Sequence, residues 1–228
     1  MIGTKYQSTE DLKEGGCVHS SLIGLSVDYL TRVMIGTNKI KAFGISISGS
    51  NYANETENAI KLIQEVKGLD DNSIISAIRL SGYDVLFRAG PMYYNPVNDI
   101  VIDEVSIYNV RVLVNRTLEF LKQEKKIVKD GFTFKGGYTN LIKTGDGDIL
   151  TEDTLWDFKV SKSKPSSKHT LQILVYYLMG LRSIHDYFKD IKYIGIYNPI
   201  LNCAFKIDVA TIPVDIIEEV ESKVIGYN

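Results

Sequence analysis

Residues 145–177 read GDGDILTEDTLWDFKVSKSKPSSKHTLQILVYY. Two short β-like runs lie inside, Gly145–Leu150 and Thr154–Val160, separated by the turn-prone Thr151-Glu152-Asp153. Side chains alternate faces along a strand. Trp156, Phe158 and Val160 therefore share one face of the second run, with Asp157 and Lys159 on the other. Asp146 and Asp148 share a face of the first, opposite Gly147 and Ile149. Paired as a hairpin, the runs bring a carboxylate from each strand and one lysine to the same side of a small sheet. Gathering like charges costs energy unless a cation neutralises them. The pattern therefore points to a divalent metal site of hard oxygen ligands beside an ammonium group.

After these strands, Pro165-Ser166-Ser167 opens a helix, with proline suited to the first turn and serine to the cap. His169, Gln172 and Tyr176 fall on one stripe of it, and Leu171, Leu174, Val175 and Leu178 supply a packing face. The stripe reads either as facing a cleft or as a polar exposed surface.

The ordered set Gly145-x-Gly147-Asp148, Asp157-Phe158-Lys159 and Gln172-x-x-x-Tyr176 resembles the core of the PD-(D/E)XK nuclease superfamily. It is closest to the RecB-like and phage-exonuclease-like branch, and the resemblance covers roughly residues 105 to 210. Two departures stand out: Gly147-Asp148 replaces the short Pro-Asp element, and Asp146 competes with Asp148 for the same role. The resemblance implies an α/β (α+β) fold with a restriction-endonuclease-like core, a central mixed sheet flanked by helices. It also implies a magnesium- or manganese-dependent nuclease that cuts DNA phosphodiester bonds, RNA being the alternative substrate. Asp148 and Asp157 would be metal ligands, Lys159 the partner of the attacking water, and Gln172 and Tyr176 the groups that orient it. His19, on an upstream helix, would be an extra ligand, or else a capping or surface histidine. Glu119 would supply a further acid, with Asp103, Glu104 and Glu124 as rivals. Substituting Asp157 or Lys159 by alanine is expected to abolish cleavage at unchanged stability. Relatives of this kind act in recombination, repair, phage replication and defence, some as rings or within larger complexes. The alternative is a catalytically inactive nuclease fold that binds nucleic acid or protein.

Charge is distributed unevenly around this core. The chain has 228 residues and a net charge of −2. Between Phe158 and His185 there is no acid, whereas Lys159, Lys162, Lys164, Lys168 and Arg182 fall there. Such a segment suits a phosphate backbone, with Lys162, Lys164, Lys168 and His169 as contacts. A solvated lysine loop is the plainer reading. Cys17 and Cys203 form no Cys-x-x-Cys and cannot supply the four thiolates of an iron–sulfur cluster. Reduced thiols and a cytoplasmic setting are expected. No apolar run approaches the ~20 residues that span a bilayer, and MIGTKYQSTEDLKEGG lacks the apolar core of a secretory signal.

Two domains are expected: residues 1–102 as a helical appendage packed on the core, and residues 103–228 as the nuclease-like core. Residues 1–16 read as a loose lead-in. Cys17–Met34 has helical spacing, Val18, Leu22, Leu25, Tyr29 and Val33 sharing a face. Lys41–Ser48 could be strand or helix. Glu57–Lys67 reads as a helix closed by Gly68, Ser73–Leu80 as another, and Tyr83–Phe87 as a short strand. A long helix is expected over Asp103–Val128, then a strand Phe132–Tyr138 broken at Gly136-Gly137. Ile191–Tyr197 and Ala204–Val209 read as a hairpin, and Pro213–Gly226 as a final helix.

Overall fold

The computed structural model describes residues 1–8 and 10–227. The chain divides into two compact units, one of Met1–Gln7 with Phe120–Asn228, the other of Ser8–Glu119. The division expected at 102/103 thus falls at 119/120, inside a helix, and the first seven residues join the later unit.

The Ser8–Glu119 unit is helical. It comprises α1 (Ser20–Met34), α2 (Lys39–Ala42), α3 (Gly44–Tyr52), α4 (Thr56–Glu65), α5 (Asp71–Gly82), α6 (Asp84–Arg88) and most of α7 (Glu104–Gln123). Short polar side chains start several of these helices by satisfying free backbone N–H groups. Asn38 accepts from Ile40 and Lys41, and Asp70 from Ser73. The buried face of α1 centres on Val27, Tyr29 and Leu30, so Leu22, Leu25 and Val33 lie half-buried at its flanks.

Two expectations fail in this unit. Tyr83–Phe87 belongs to a helix, not a strand. The YDVLF run has strand-like content, but among the described residues this unit offers no strand to pair with. The Asp84 carboxylate is buried instead and accepts from the Tyr29 hydroxyl at 2.5 Å and the Ser46 hydroxyl at 2.6 Å. Gly68 does not close α4 either, because Val66 ends it in an extended conformation two residues earlier. Lys41–Ser48 resolves as helix, split between α2 and α3.

The second unit is built on six strands: β1 (Ile2–Lys5), β2 (Ile127–Thr133), β3 (Asp146–Thr151), β4 (Thr154–Phe158), β5 (Tyr193–Asn198) and β6 (Cys203–Asp208). Their order in the sheet is β1-β6-β5-β4-β3-β2. All neighbours are antiparallel except β4 and β5, which are parallel and joined through α8 (Ser167–Leu181). A parallel pair requires a crossover of this kind. The chain ends in α9 (Val214–Glu219), continued by a π-helical turn to Ile225 and closed by Gly226 at φ 85°. No helix among the described residues is long and apolar enough to cross a membrane.

Alternation assigns the two sheet faces. Leu150, Leu155, Ile194 and Ile196 pack with Ile173, Leu174, Val175, Leu178 and Met179 of α8 in one apolar cluster. Leu171, expected in that packing face, is 39% exposed. On the opposite face Phe120 stacks on Tyr197 at 4.0 Å and meets Trp156 edge-on at 4.9 Å. Gly195 sits opposite Trp156 in the ladder, and only the missing side chain leaves room for the indole ring.

Several boundaries differ from expectation, among them the end of β4, which falls at Phe158 and not at Val160. The lead-in contains β1, whose four exposed side chains carry no hydrophobic signal; backbone pairing with β6 places it. The long helix stops at Gln123, and Ile127 and Val128 open β2. β2 in turn ends at Thr133, before the expected Phe132–Tyr138 strand is complete. The chain turns there, with Gly136 at φ 94°, while the Tyr138 hydroxyl accepts from the Phe134 N–H and donates to the Gly145 carbonyl.

Candidate functional site

The β3–β4 ladder pairs Ile149 with Trp156 and Leu150 with Leu155. The ladder ends at the Ile149–Trp156 pair, and Gly147 stands opposite Phe132 of β2, whose ring belongs to the apolar cluster with α8 and fills the space a Gly147 side chain would need. Asp157 shares parity with Leu155 of β4, which faces α8. The Asp148 carboxylate accepts from the Phe158 N–H at 2.7 Å, which fastens it to the neighbouring strand.

Asp157 is buried, 5% exposed. The Lys159 Nζ lies 3.1 Å from Asp157 Oδ1 and 2.9 Å from Oδ2. A carboxylate so deprived of water is costly unless paired, and the ammonium of Lys159, one residue past the end of β4, supplies the opposite charge. The backbone of Lys159 is itself fixed, its N–H donating to the Tyr197 carbonyl of β5 at 2.9 Å.

α8 brings its polar stripe onto this group. The Gln172 amide donates to the Tyr176 hydroxyl at 3.1 Å. The Tyr176 phenol is pushed up to about 12, first by burial and then by the negative charges of Asp157, Asp148 and Asp146. Asp146, the rival of Asp148, is exposed at the start of β3. His169 accepts from the Ser166 N–H through Nδ1 at 3.2 Å, closing the first turn of α8. Burial, then the positive charges of Lys159 and Lys168, hold its pKa below the usual histidine value. At neutral pH the ring is therefore uncharged, and with Nδ1 accepting, Nε2 carries the proton. Lys162, Lys164 and Lys168 are exposed along and just beyond the loop from β4 to α8.

Asp148, Asp157, Lys159, Gln172, Tyr176 and His169 therefore gather within one unit. His19, Glu119, Asp103 and Glu104 belong to the Ser8–Glu119 unit, and Glu124 to the other. His19 is the N-cap of α1, its Nδ1 accepting from the Ser21 N–H at 3.3 Å, which is the capping role. Glu119 is exposed near the end of α7. Of its rivals, Asp103 accepts from the Ser106 N–H at 2.7 Å, and Glu124 pairs with Lys206 at 3.7 Å.

Among the described residues no group of three or more His, Cys, Asp or Glu side chains is gathered to hold a metal. A closed protein cage is therefore not formed. Magnesium does not demand one, since it keeps several waters and takes one or two carboxylates plus substrate phosphate oxygens. Asp148 and Asp157 match that donor set. A cation on Asp157 must share or displace the ammonium now seated on both its oxygens.

Sequence reasoning missed Asn198 at the end of β5, one residue beyond the expected strand Ile191–Tyr197. It is 1% exposed, and its side chain bonds the loop that carries Lys162 and Lys164. Its loop partners, Ser161 and Ser163, lie more than thirty residues away in the chain, so no local pattern announces that clamp.

The Tyr176 environment has a measurable consequence. A phenol whose folded pKa exceeds its unfolded value of 10.0 leaves stability intact below pH 10 and costs stability as pH rises toward 12. Other tyrosines share this behaviour, so the comparison must be differential. Tyr176→Phe should flatten part of the fall in melting temperature between pH 10 and 12, and equal slopes in both proteins would contradict the assigned environment.

Compared with family models, with curated proteins and with solved structures, the chain matches none.

Proposed function

We propose that this chain is a magnesium- or manganese-dependent nuclease hydrolysing DNA phosphodiester bonds, on a restriction-endonuclease-like core of the PD-(D/E)XK kind. One observation carries the reading: Asp148 is held to the Phe158 N–H beside Asp157, Asp157 is paired with the Lys159 ammonium, and the Tyr176 phenol senses both carboxylates. The order α7-β2-β3-β4-α8-β5 supports it, as does the parallel β4–β5 pair.

In this reading Asp148 and Asp157 hold the cation through hard oxygens. When bound, the metal polarises the phosphoryl oxygen and acidifies a water for in-line attack. Lys159 would orient the attacking water or offset negative charge on the phosphoryl group. Gln172 holds the Tyr176 hydroxyl, which stays protonated at neutral pH and donates to a phosphate or water oxygen. Neutral His169 presents an Nε2–H donor beside Lys159 and Lys168. Lys162, Lys164 and Lys168 follow the phosphate backbone, a contact that carries no base sequence.

The test is digestion of linear duplex, circular duplex and single-stranded DNA, and of RNA, with magnesium or with a chelator. Cleavage of DNA only with the metal is the expected result; no metal-dependent cleavage of any of these substrates overturns the reading. A second reading, an inactive nuclease fold that binds nucleic acid or protein, is favoured by the Lys159–Asp157 pair, which neutralises the buried acid without a metal. Manganese calorimetry separates the two, because a scaffold would bind no metal at this pair.

A further inference from the structure

The loop from β4 to α8 is short, polar and rich in lysine, a composition that by itself confers flexibility. The structure holds it from the end of β5. The Lys159 N–H donates to the Tyr197 carbonyl at 2.9 Å. The next residue of β5, Asn198, directs its Nδ2 to the carbonyls of Ser161 at 2.7 Å and Ser163 at 3.1 Å. Its Oδ1 accepts from the N–H groups of Ile200 at 3.0 Å and Leu201 at 3.3 Å, which fastens the β5–β6 turn. A primary amide has two N–H donors and one oxygen able to accept twice. All of that capacity is used, and Asn198 is 1% exposed. Residues 159, 161 and 163 are thus pinned in turn along their backbone, while the side chains of Lys162 and Lys164 remain exposed.

We propose that Asn198 is a positioning residue for nucleic-acid binding, holding the Ser161–Lys164 backbone so that Lys162 and Lys164 meet consecutive phosphates without first being ordered. This rests on the nuclease reading and deepens it. Ordering a loop at the moment of binding lowers affinity, and a preformed loop avoids that loss. The occupant is a phosphodiester backbone, recognised by charge rather than by base.

No other side chain of similar size reproduces the fork. Asn198→Asp keeps the shape but turns two donors into acceptors facing two carbonyls. Asn198→Ala removes the clamp, and Asn198→Ser retains one donor.

The experiment measures duplex DNA affinity against salt in chelator, where nothing is cleaved, for wild type, Asn198→Ala, Asn198→Ser and Lys162→Gln/Lys164→Gln. Each lost phosphate contact lowers the salt slope by roughly 0.9. The lysine pair should lower it by roughly 1.8. Asn198→Ala should move part of the way to that value, Asn198→Ser less, and Asn198→Ala should add almost nothing once the lysines are gone. Manganese binding, read by calorimetry, should be unchanged in both Asn198 variants and reports that they are folded. If the alanine variant does not fold, the serine variant decides. A wild-type slope in a folded Asn198 variant, or losses that simply add to those of the lysine pair, overturns this proposal alone. A wild type with no salt-dependent DNA binding overturns it together with the DNA reading of the site.

Discussion

Asp157→Asn is expected to fold, to lose cleavage by at least about a thousandfold, and to lose its thermal response to magnesium. The substitution keeps the shape and removes the charge. Lys159 loses its partner, but its side chain is 25% exposed and can turn to water at small cost. Stability without metal should therefore change little. A ligand that binds only the folded state stabilises it by about 2.7 kcal/mol at a hundred times its dissociation constant. Wild type should show that gain as a rise in melting temperature when magnesium is added, and the variant should not. The loss of rate is large because it removes the cation rather than one hydrogen bond, and even a single misplaced electrostatic donor costs about 10²–10³. Full activity in the variant would remove Asp157 from the site.

Lys159→Met should behave in the opposite way towards stability. Removing the ammonium leaves the Asp157 carboxylate, 5% exposed, without the charge that lies 2.9 Å away. Breaking a buried pair from that side costs about 3–5 kcal/mol. Water reaches the lysine end of this pair, so the lower end of that range is expected. Adding magnesium should return positive charge to the carboxylate and recover part of the lost melting temperature, while cleavage stays reduced by about 10²–10⁴. The sequence had led to the expectation that either substitution would abolish activity at unchanged stability. The structure separates the two, because burial falls on the acid and not on the amine. A Lys159→Met protein as stable as wild type in chelator would contradict the pairing.

Within the core, the candidate side chains could be singled out because their grammar is local. Asp148 lies in β3, Asp157 in β4 and Lys159 one residue past its end, and Gln172 and Tyr176 lie one helical turn apart on α8. Period-two and period-3.6 patterns survive any tertiary arrangement that keeps those elements. Where the pattern was silent, the reading failed. β1 has no buried side chain, so its pairing with β6 left no mark on its own residues. Tyr83–Phe87 had strand-forming content but lies in a unit with nothing to pair against, and the buried Asp84 holds it among helices. His19 offered two roles that sequence could not separate, and the cap on α1 is the one formed.

What the sequence by itself determined was which side chains could share a face: two acids and an amine on neighbouring strands, and a polar stripe on the helix that follows. Only the tertiary structure decided that α8 covers the face bearing Asp157, that Lys159 spans both oxygens of that buried acid, and that Asn198 clamps the lysine loop. The first kind of information is written in spacings of two to four residues, whereas the second depends on contacts across 35 and 37 positions, as between Asn198 and Ser163 or Ser161. Such contacts form only when burial of the apolar cluster beneath α8 brings β4 beside β5, and no local propensity encodes that step.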